Sequence, residues 1–493
     1  MEFIRGESRE QTLLLPECVD DYVDDNNAVR VINAYIDSLD LAELGFGKPE
    51  PNDTGRPMYN PKDLLKLYVY GYMNRIRSSR RLETESRRNL EVLWLLGKLS
   101  PDHKTIANFR RDNASALKNV FRSFVRLCVA MGLYGNELIA IDGSKFKAVN
   151  SRKRNYTKQQ IQEKIAGIME KIDEYLNELD RNDAAENTES GEKSKEEIEQ
   201  IIGKLRGHKQ RYHGYAGELE RTGEKQKSLT DTESRLMPTN GKMDVCYNVQ
   251  AAVEAKNKLV VDFKVTNQGN DKNFITPMAV SAKELLGVEA ITAVVDGGYE
   301  SIQDIIKAQG NGIEVHVAGT DFDICVPAEE GEQTGINKHH EGRCVYIAER
   351  NVSLCPMGNV LYPGFFKNRK GGLGVFYNYK ACQQCACKCT KNARGRFHHQ
   401  VPMAKEKFSK EYNDTDLKVK QIRIKPKKEI IKRRKSVVEH PFGTIKRGMD
   451  AGYCLTKGLE KVGGEFALTF LAYNLKRAIN ILGSGKLIEK MAY

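Results

Sequence analysis

The chain has no apolar run approaching the roughly 20 residues that a membrane-spanning helix requires, and Met1-Glu2-Phe3-Ile4-Arg5-Gly6 begins nothing like a signal peptide. A membrane protein is therefore not expected, and a cytoplasmic one is. Nor is there a disulfide framework. The chain has 11 cysteines, but four of them crowd between Cys382 and Cys389 and the rest are scattered, which suits a reducing compartment with a metal knuckle. Tryptophan is almost absent, with Trp94 the single example. What the chain does have is length and positive charge. Its 493 residues are too many for one ordinary core, so two or three domains are expected. The 78 Lys plus Arg exceed the 66 Asp plus Glu, for a net charge of +12. That sign favours a polyanionic partner, because neutralised phosphates release counterions.

Three acids stand in settings that point to chemistry. Leu138-Ile139-Ala140-Ile141 is a short apolar run that ends in Asp142-Gly143-Ser144-Lys145. It reads as a buried strand with Asp142 just past its carboxyl end, where open α/β sheets place ligands. Ile291-Thr292-Ala293-Val294-Val295 repeats the pattern with Asp296-Gly297-Gly298, and Ser301 is a candidate cap for a helix over 302–307. The third acid is Glu439, where Val438, Phe442 and Ile445 recur at helical spacing, although Pro441 puts a bend at or after it. Magnesium takes hard oxygen ligands and keeps several waters, so one or two carboxylates per ion suffice. Three carboxylates can hold two ions about 3.5–4 Å apart for an in-line phosphoryl displacement.

With Val295-Asp296-Gly297-Gly298-Tyr299 and Val438-Glu439-His440-Pro441-Phe442-Gly443 in place beside Asp142-Gly143, the chain resembles the Asp-Asp-Glu transposases of bacterial insertion sequences. Gly55-Arg56-Pro57, Tyr70-Gly71-Tyr72, Ile76-Arg77-Ser78-Ser79-Arg80-Arg81-Leu82-Glu83 and Pro101-Asp102-His103-Lys104-Thr105-Ile106-Ala107-Asn108-Phe109-Arg110 resemble the N-terminal domain of the same proteins, so the resemblance spans nearly the whole chain. It implies an α/β catalytic core of RNase H-like type, a mixed sheet flanked by helices, joined to an all-α DNA-binding domain. The implied divisions are 1–136 (DNA-binding), 137–320 (core, with a helical-hairpin insertion at 157–225), 321–400 (Cys-rich insertion) and 401–493 (core, with the third acid).

The implied activity is cleavage at the ends of an insertion element and strand transfer into target DNA. Two Mg2+ or Mn2+ ions would sit on Asp142, Asp296 and Glu439, and a homodimer would assemble on DNA in the bacterial cytoplasm near the nucleoid. The alternatives are a catalytically silent DNA-binding regulator and a nuclease that only hydrolyses. Many such transposases carry a Tyr, an Arg, the Glu and a Lys at fixed spacing. Here the Tyr position is Lys432 and the Arg position is Lys435, with Arg434 adjacent, while Lys446 is kept. Lys145, Lys432, Arg434, Lys435 and Lys446 are then the expected phosphate contacts of the core.

The remaining segments fit this plan. From 20 to 134 the pattern is helical, with Pro61 opening one helix and a helix pair presenting Arg77, Arg80, Arg81, Asn108, Arg110 and Arg111 as DNA contacts. The other reading of those arginines is the solvated face of a helical bundle. Ile161, Ile165, Ile168, Ile172 and Leu179, then Ile198, Ile201, Ile202 and Leu205, form two apolar seams of a helical hairpin or coiled coil. Asp244 to Val265 alternates as a β-hairpin, and Asp231, Asp244 and Asp262 compete as ligands only weakly. Asp271 is expected to cap a helix over 273–286. Regular structure is expected to stop from 321 to 400. There Cys355, Cys382, Cys385 and Cys389 make a tetrahedral zinc set, with Cys387 as the alternative to Cys389, His398 or His399 as another ligand source, and reduced unliganded thiols as the other reading.

Overall fold

The computed structural model describes residues 18–47, 58–184, 195–239, 241–328, 336, 342–368, 372–385 and 398–491. The N-terminal part is helical: α1 (Ala28–Asp37), α2 (Pro61–Met73), α3 (Ser79–Arg88), α4 (Leu90–Leu95), α5 (His103–Asp112) and α6 (Ala114–Ala130). Capping explains where two of these begin. Asn60 accepts from Lys62 N ahead of Pro61 at the first helical position, and Asp102 accepts from Lys104 N and Thr105 N. Gly55-Arg56-Pro57 lies outside the described residues.

Strand β1 (Leu138–Lys147) leads through β2 (Asn155–Thr157) into the helical arm α7 (Lys158–Ala184) and α8 (Lys195–Thr222), and β3 (Gln226–Ser228) closes the arm's root by pairing with β2. Ile172, Ile198 and Ile202 bury each other between the two arm helices. The chain continues through β4 (Arg235–Thr239), β5 (Lys242–Glu254), β6 (Val260–Thr266), α9 (Ile275–Leu286), β7 (Ile291–Val295), α10 (Ile302–Gly310) and β8 (Ile313–Val317). These strands make a mixed sheet. Along it β5, β1, β7 and β8 are successive neighbours, and β4 and β6 both pair with the outer edge of β5. The β5–β1 pairing is antiparallel, whereas β1–β7 and β7–β8 are parallel.

Beyond β8 the chain is more regular than its sequence suggests. Short strands β9 (Phe322–Pro327) and β10 (Gly342–Arg343) precede a meander of β11 (Val345–Ile347), β12 (Val352–Leu354), β13 (Val360–Lys367), β14 (Leu373–Tyr377) and, after α11 (Tyr379–Gln384), β15 (His398–Pro402); β16 (Val419–Ile424) returns to pair with β9. These strands escaped the sequence reading because β10, β11 and β12 are only two or three residues long and β9, β12 and β14 are buried on both faces, so alternation is weak.

Helix α12 (Lys428–Gly443) runs through Pro441 without a break and passes into a π-helical turn, Thr444–Gly448. Pro441 therefore does not break the helix at Glu439 as expected; it costs α12 one backbone hydrogen bond, and the departure from α-helical bonding comes only at Thr444. Helix α13 (Leu459–Leu482) is buried along most of its length against α6, α2 and β6, and α14 (Ser484–Met491) rests on α1. One continuous apolar core therefore joins the N-terminal helices to the sheet. Among the described residues no helix is long and apolar enough to cross a membrane.

Candidate active site

Parallel pairing of β1 with β7 puts Ala140 opposite Val294, so Asp142 and Asp296 leave neighbouring strands at the same level. Asp142 is not past the end of its strand, as expected, but within it. Antiparallel pairing with β5 continues through Lys147, while the parallel partner β7 ends at Val295. Each carboxylate takes a hydrogen bond from the following glycine N–H, Gly143 to Asp142 at 3.0 Å and Gly297 to Asp296 at 2.9 Å.

Helix α12 crosses this end of the sheet. Its Arg434 is buried, with Nη1 4.0 Å from Asp142 Oδ1 and Nη2 3.7 Å from Asp296 Oδ1. Burial pushes the Asp142 carboxyl up to about 6, against the opposing pull of Arg434 and the Gly143 N–H. Farther along the chain, Lys446 Nζ donates to Ser144 Oγ at 2.6 Å and to Lys145 O at 3.1 Å, beside the same acid. Burial lowers the Lys446 pKa, opposed by the nearby Cys246 thiol and Asp142.

Glu439 lies on α12 between these two anchor points, yet its side chain is exposed and makes no ion pair with a described residue. Five residues of helix turn it roughly 140° away from Arg434. In this conformation it is Arg434, not Glu439, that meets the two aspartates.

Asp271 does not cap α9. Both oxygens of Asp304, from α10, do so, accepting from Ile275 N at 2.9 Å and Thr276 N at 3.2 Å. Asp271 instead accepts from Asn248 Nδ2 and Gln250 Nε2 at 2.7 Å each, and from Lys145 Nζ at 3.2 Å. Gly143 leaves room for this cluster: a Cβ there would meet Gln250 Nε2, and Asp271 Oδ1 at 2.7 Å. Gln250 in turn accepts from Tyr299 OH, three residues beyond Asp296. The sequence did hold a signal for this network, two polar residues at alternate positions inside the otherwise apolar Val245–Val253 run. Ser301 holds the N-cap position of α10 as expected, but its hydroxyl makes no capping bond and donates instead to Asn273 Oδ1 at 3.0 Å.

The other acids in this region are engaged elsewhere. Asp231 accepts from Tyr247 OH, Asp262 pairs with Arg122 at 3.1 Å, and Asp244 faces Lys147 and Arg152.

The expected DNA contacts divide by burial. Arg80, Arg81, Asn108, Arg111, Lys432 and Lys435 are exposed. Arg77 and Arg110 are not: Arg77 pairs with Glu465 at 3.2 Å and donates to Tyr453 O, and Arg110 donates to Tyr72 OH at 3.0 Å. Their charges are used inside the protein, so they do not form part of a DNA-facing surface. Lys145 and Arg434 are likewise turned to carboxylates.

Cys355 is buried, with the Asn359 N–H 3.3 Å from its Sγ, while Cys382 and Cys385 are half-buried on and just after α11. Cys387 and Cys389 lie outside the described residues, as does the His398 side chain, and His399 Nδ1 is 3.0 Å from Ser353 Oγ. Among the described residues no three His, Cys, Asp or Glu side chains are gathered as a ready metal cluster.

Two family models match parts of the chain on either side of Asp142 and Asp296. Residues 17–112 match the family described as Transposase domain (DUF772), and residues 354–479 match the Transposase DDE domain. The matched domains define the class, a transposase. More particularly, the chain is a DNA transposase of the DDE type. No curated protein matches it. A cryo-EM structure of the piggyBac transposase synaptic complex with hairpin DNA aligns over 94% of this chain and 79% of that one, at 8% identity and a TM-score of 0.28.

Proposed function

We propose that this transposase acts by divalent-ion chemistry at Asp142, Asp296 and Glu439 in a core of RNase H-like type, as in bacterial insertion sequences. The observation that carries this reading is the register-matched pair, two carboxylates on adjacent parallel strands sharing one cation, the Arg434 guanidinium. A site that already stabilises positive charge between two carboxylates has the donor chemistry of a Mg2+ or Mn2+ site. The sheet supports the core type, since a long antiparallel hairpin, β5 and β6, precedes two parallel strands around a central β1.

Bound ions would activate an oxygen nucleophile and stabilise the leaving oxygen of the cut phosphodiester. The chain's own residues do the rest. The Gly143 and Gly297 amides fix the carboxylates that face the ions. Lys446, tethered to Ser144 beside Asp142, and the exposed Lys432 and Lys435 on α12 hold DNA phosphates near the cut. Glu439 completes the ligand set from α12. Arg80, Arg81, Asn108 and Arg111 read or grip the element end, and two ends are joined by a homodimer on DNA. Cys355, Cys382, Cys385 and Cys389 hold a structural zinc, tested by metal analysis of the purified protein and of its Cys382→Ser variant.

The decisive experiment uses labelled DNA carrying the inverted repeats that flank the gene, with Mg2+ and an unlabelled target. Nicking and joined products are expected from the wild type, and neither from Asp142→Asn, Asp296→Asn or Glu439→Gln. Wild-type cleavage by Asp142→Asn would overturn the assignment, and cleavage without joining would leave a hydrolase.

A further inference from the structure

We propose that Arg434 is the built-in counter-cation of the metal-free site, and that it and a divalent ion occupy the gap between Asp142 and Asp296 in turn. The proposal rests on the reading of those two residues as metal ligands. Three observations carry it.

The first is placement. Each terminal nitrogen of the guanidinium faces a different aspartate, at 4.0 Å and 3.7 Å, so the positive group lies across the gap instead of pairing with one side. An ion ligated by both carboxylates would need the same space, and two positive groups there would repel one another.

The second is the looseness of the fit. Charge-assisted hydrogen bonds run about 2.7–2.9 Å, and neither contact reaches that range. Among the described residues Arg434 has no other ion pair. The guanidinium therefore neutralises the aspartates without being locked to either. A bidentate, fully bonded arginine would be a permanent part of the fold; this one can be exchanged.

The third is helical geometry. Arg434 and Glu439 belong to the same helix, α12, at positions roughly 140° apart around its axis. In one orientation of α12 they cannot both face the aspartates. The arrangement with Arg434 inward is the unloaded one. Loading releases Arg434 from the gap. Freed, the guanidinium is a DNA-phosphate contact at the mouth of the site, alongside Lys435 and Lys446. Metal loading and phosphate grip are thereby linked through a single side chain.

The test is Mn2+ titration of the full-length protein without DNA, by calorimetry and by the shift of its melting temperature. Arg434→Gln is expected to bind Mn2+ on the order of tenfold more tightly than the wild type, since an adjacent arginine competes for a carboxylate by that factor or more. Its metal-free melting temperature should fall, and Mn2+ should restore more of it than in the wild type. Equal or weaker Mn2+ binding by Arg434→Gln would overturn the proposal. Should that variant not fold, Arg434→Lys, which keeps the charge but cannot span both aspartates, is expected to show a smaller gain in affinity, and no gain would count against the proposal in the same way. Asp142→Asn with Asp296→Asn separates the two readings. If the wild type binds Mn2+ no better than this double variant, the metal reading itself fails. If it binds better but equally with Arg434→Gln, only the exchange fails.

Discussion

Arg77 offers the sharpest choice between what the sequence suggested and what the fold does. Removing it as Arg77→Met takes away a buried ion pair to Glu465, a hydrogen bond to Tyr453 O at 2.9 Å and a guanidinium stacked 4.5 Å over the Tyr453 ring. Glu465 is almost fully buried and would be left charged without its partner. Breaking a buried pair from one side costs about 3–5 kcal/mol. Glu465 still accepts from Leu455 N, Thr456 N and Thr456 Oγ1, so the lower end, about 3 kcal/mol, is expected here. Denaturant unfolding measures the loss, and adding Glu465→Gln should recover part of it because the orphaned charge is gone. DNA affinity of the folded fraction, and its dependence on salt, should match the wild type. If Arg77→Met were instead as stable as wild type but bound DNA more weakly, with a shallower salt dependence, Arg77 would be a phosphate contact and the burial argument would be wrong.

Two further outcomes follow from the same structure. Asp142 holds its proton up to about pH 6, against about 3.9 in an unfolded chain. The folded state therefore binds the extra proton between those values, and Asp142's contribution to stability falls as pH rises from about 4 through about 6. A divalent ion needs the carboxylate, so Mn2+ affinity should be about tenfold weaker at pH 5 than at pH 8; identical affinities at the two pH values would show that Asp142 is not a ligand or not so perturbed. Asp304→Ala removes the acceptor of two α9 amides and should cost about 1–2 kcal/mol, read by the same unfolding assay, with Asp271→Ala leaving the α9 cap intact.

What could be seen in the sequence was what local pattern encodes. An apolar run broken by an acid and a glycine marked both aspartates, because a stretch buried in parallel pairing has to be apolar and polar groups reappear where that pairing ends, even though β1 itself continues past Asp142. The arm was legible for a similar reason, as its Ile172, Ile198 and Ile202 seam is set by helical period. Arg77 was not, since its partner lies 388 residues away and nothing in the short connection between α2 and α3 distinguishes a buried arginine from a solvated one. The inward turn of Arg434 was hidden for the same reason. Its run of lysines and arginines looks uniformly solvated, and only the rotation of α12 against β1 and β7 turns one of them inward. Asp271 was noticed but given the nearer task, helix capping, which the fold hands to Asp304 across from α10.

Helix α13 follows the sheet in sequence but packs against both the N-terminal helices and strand β6. Its Glu465 receives Arg77, and its Asn474 amide bonds both the N–H and the carbonyl of Val260. During synthesis the six helices before β1 leave the ribosome more than 300 residues ahead of the segment that fills their core. The packing beneath those helices is therefore completed only once the segment bearing Arg434 and Glu439 has also been made, which argues against a separately folded front portion.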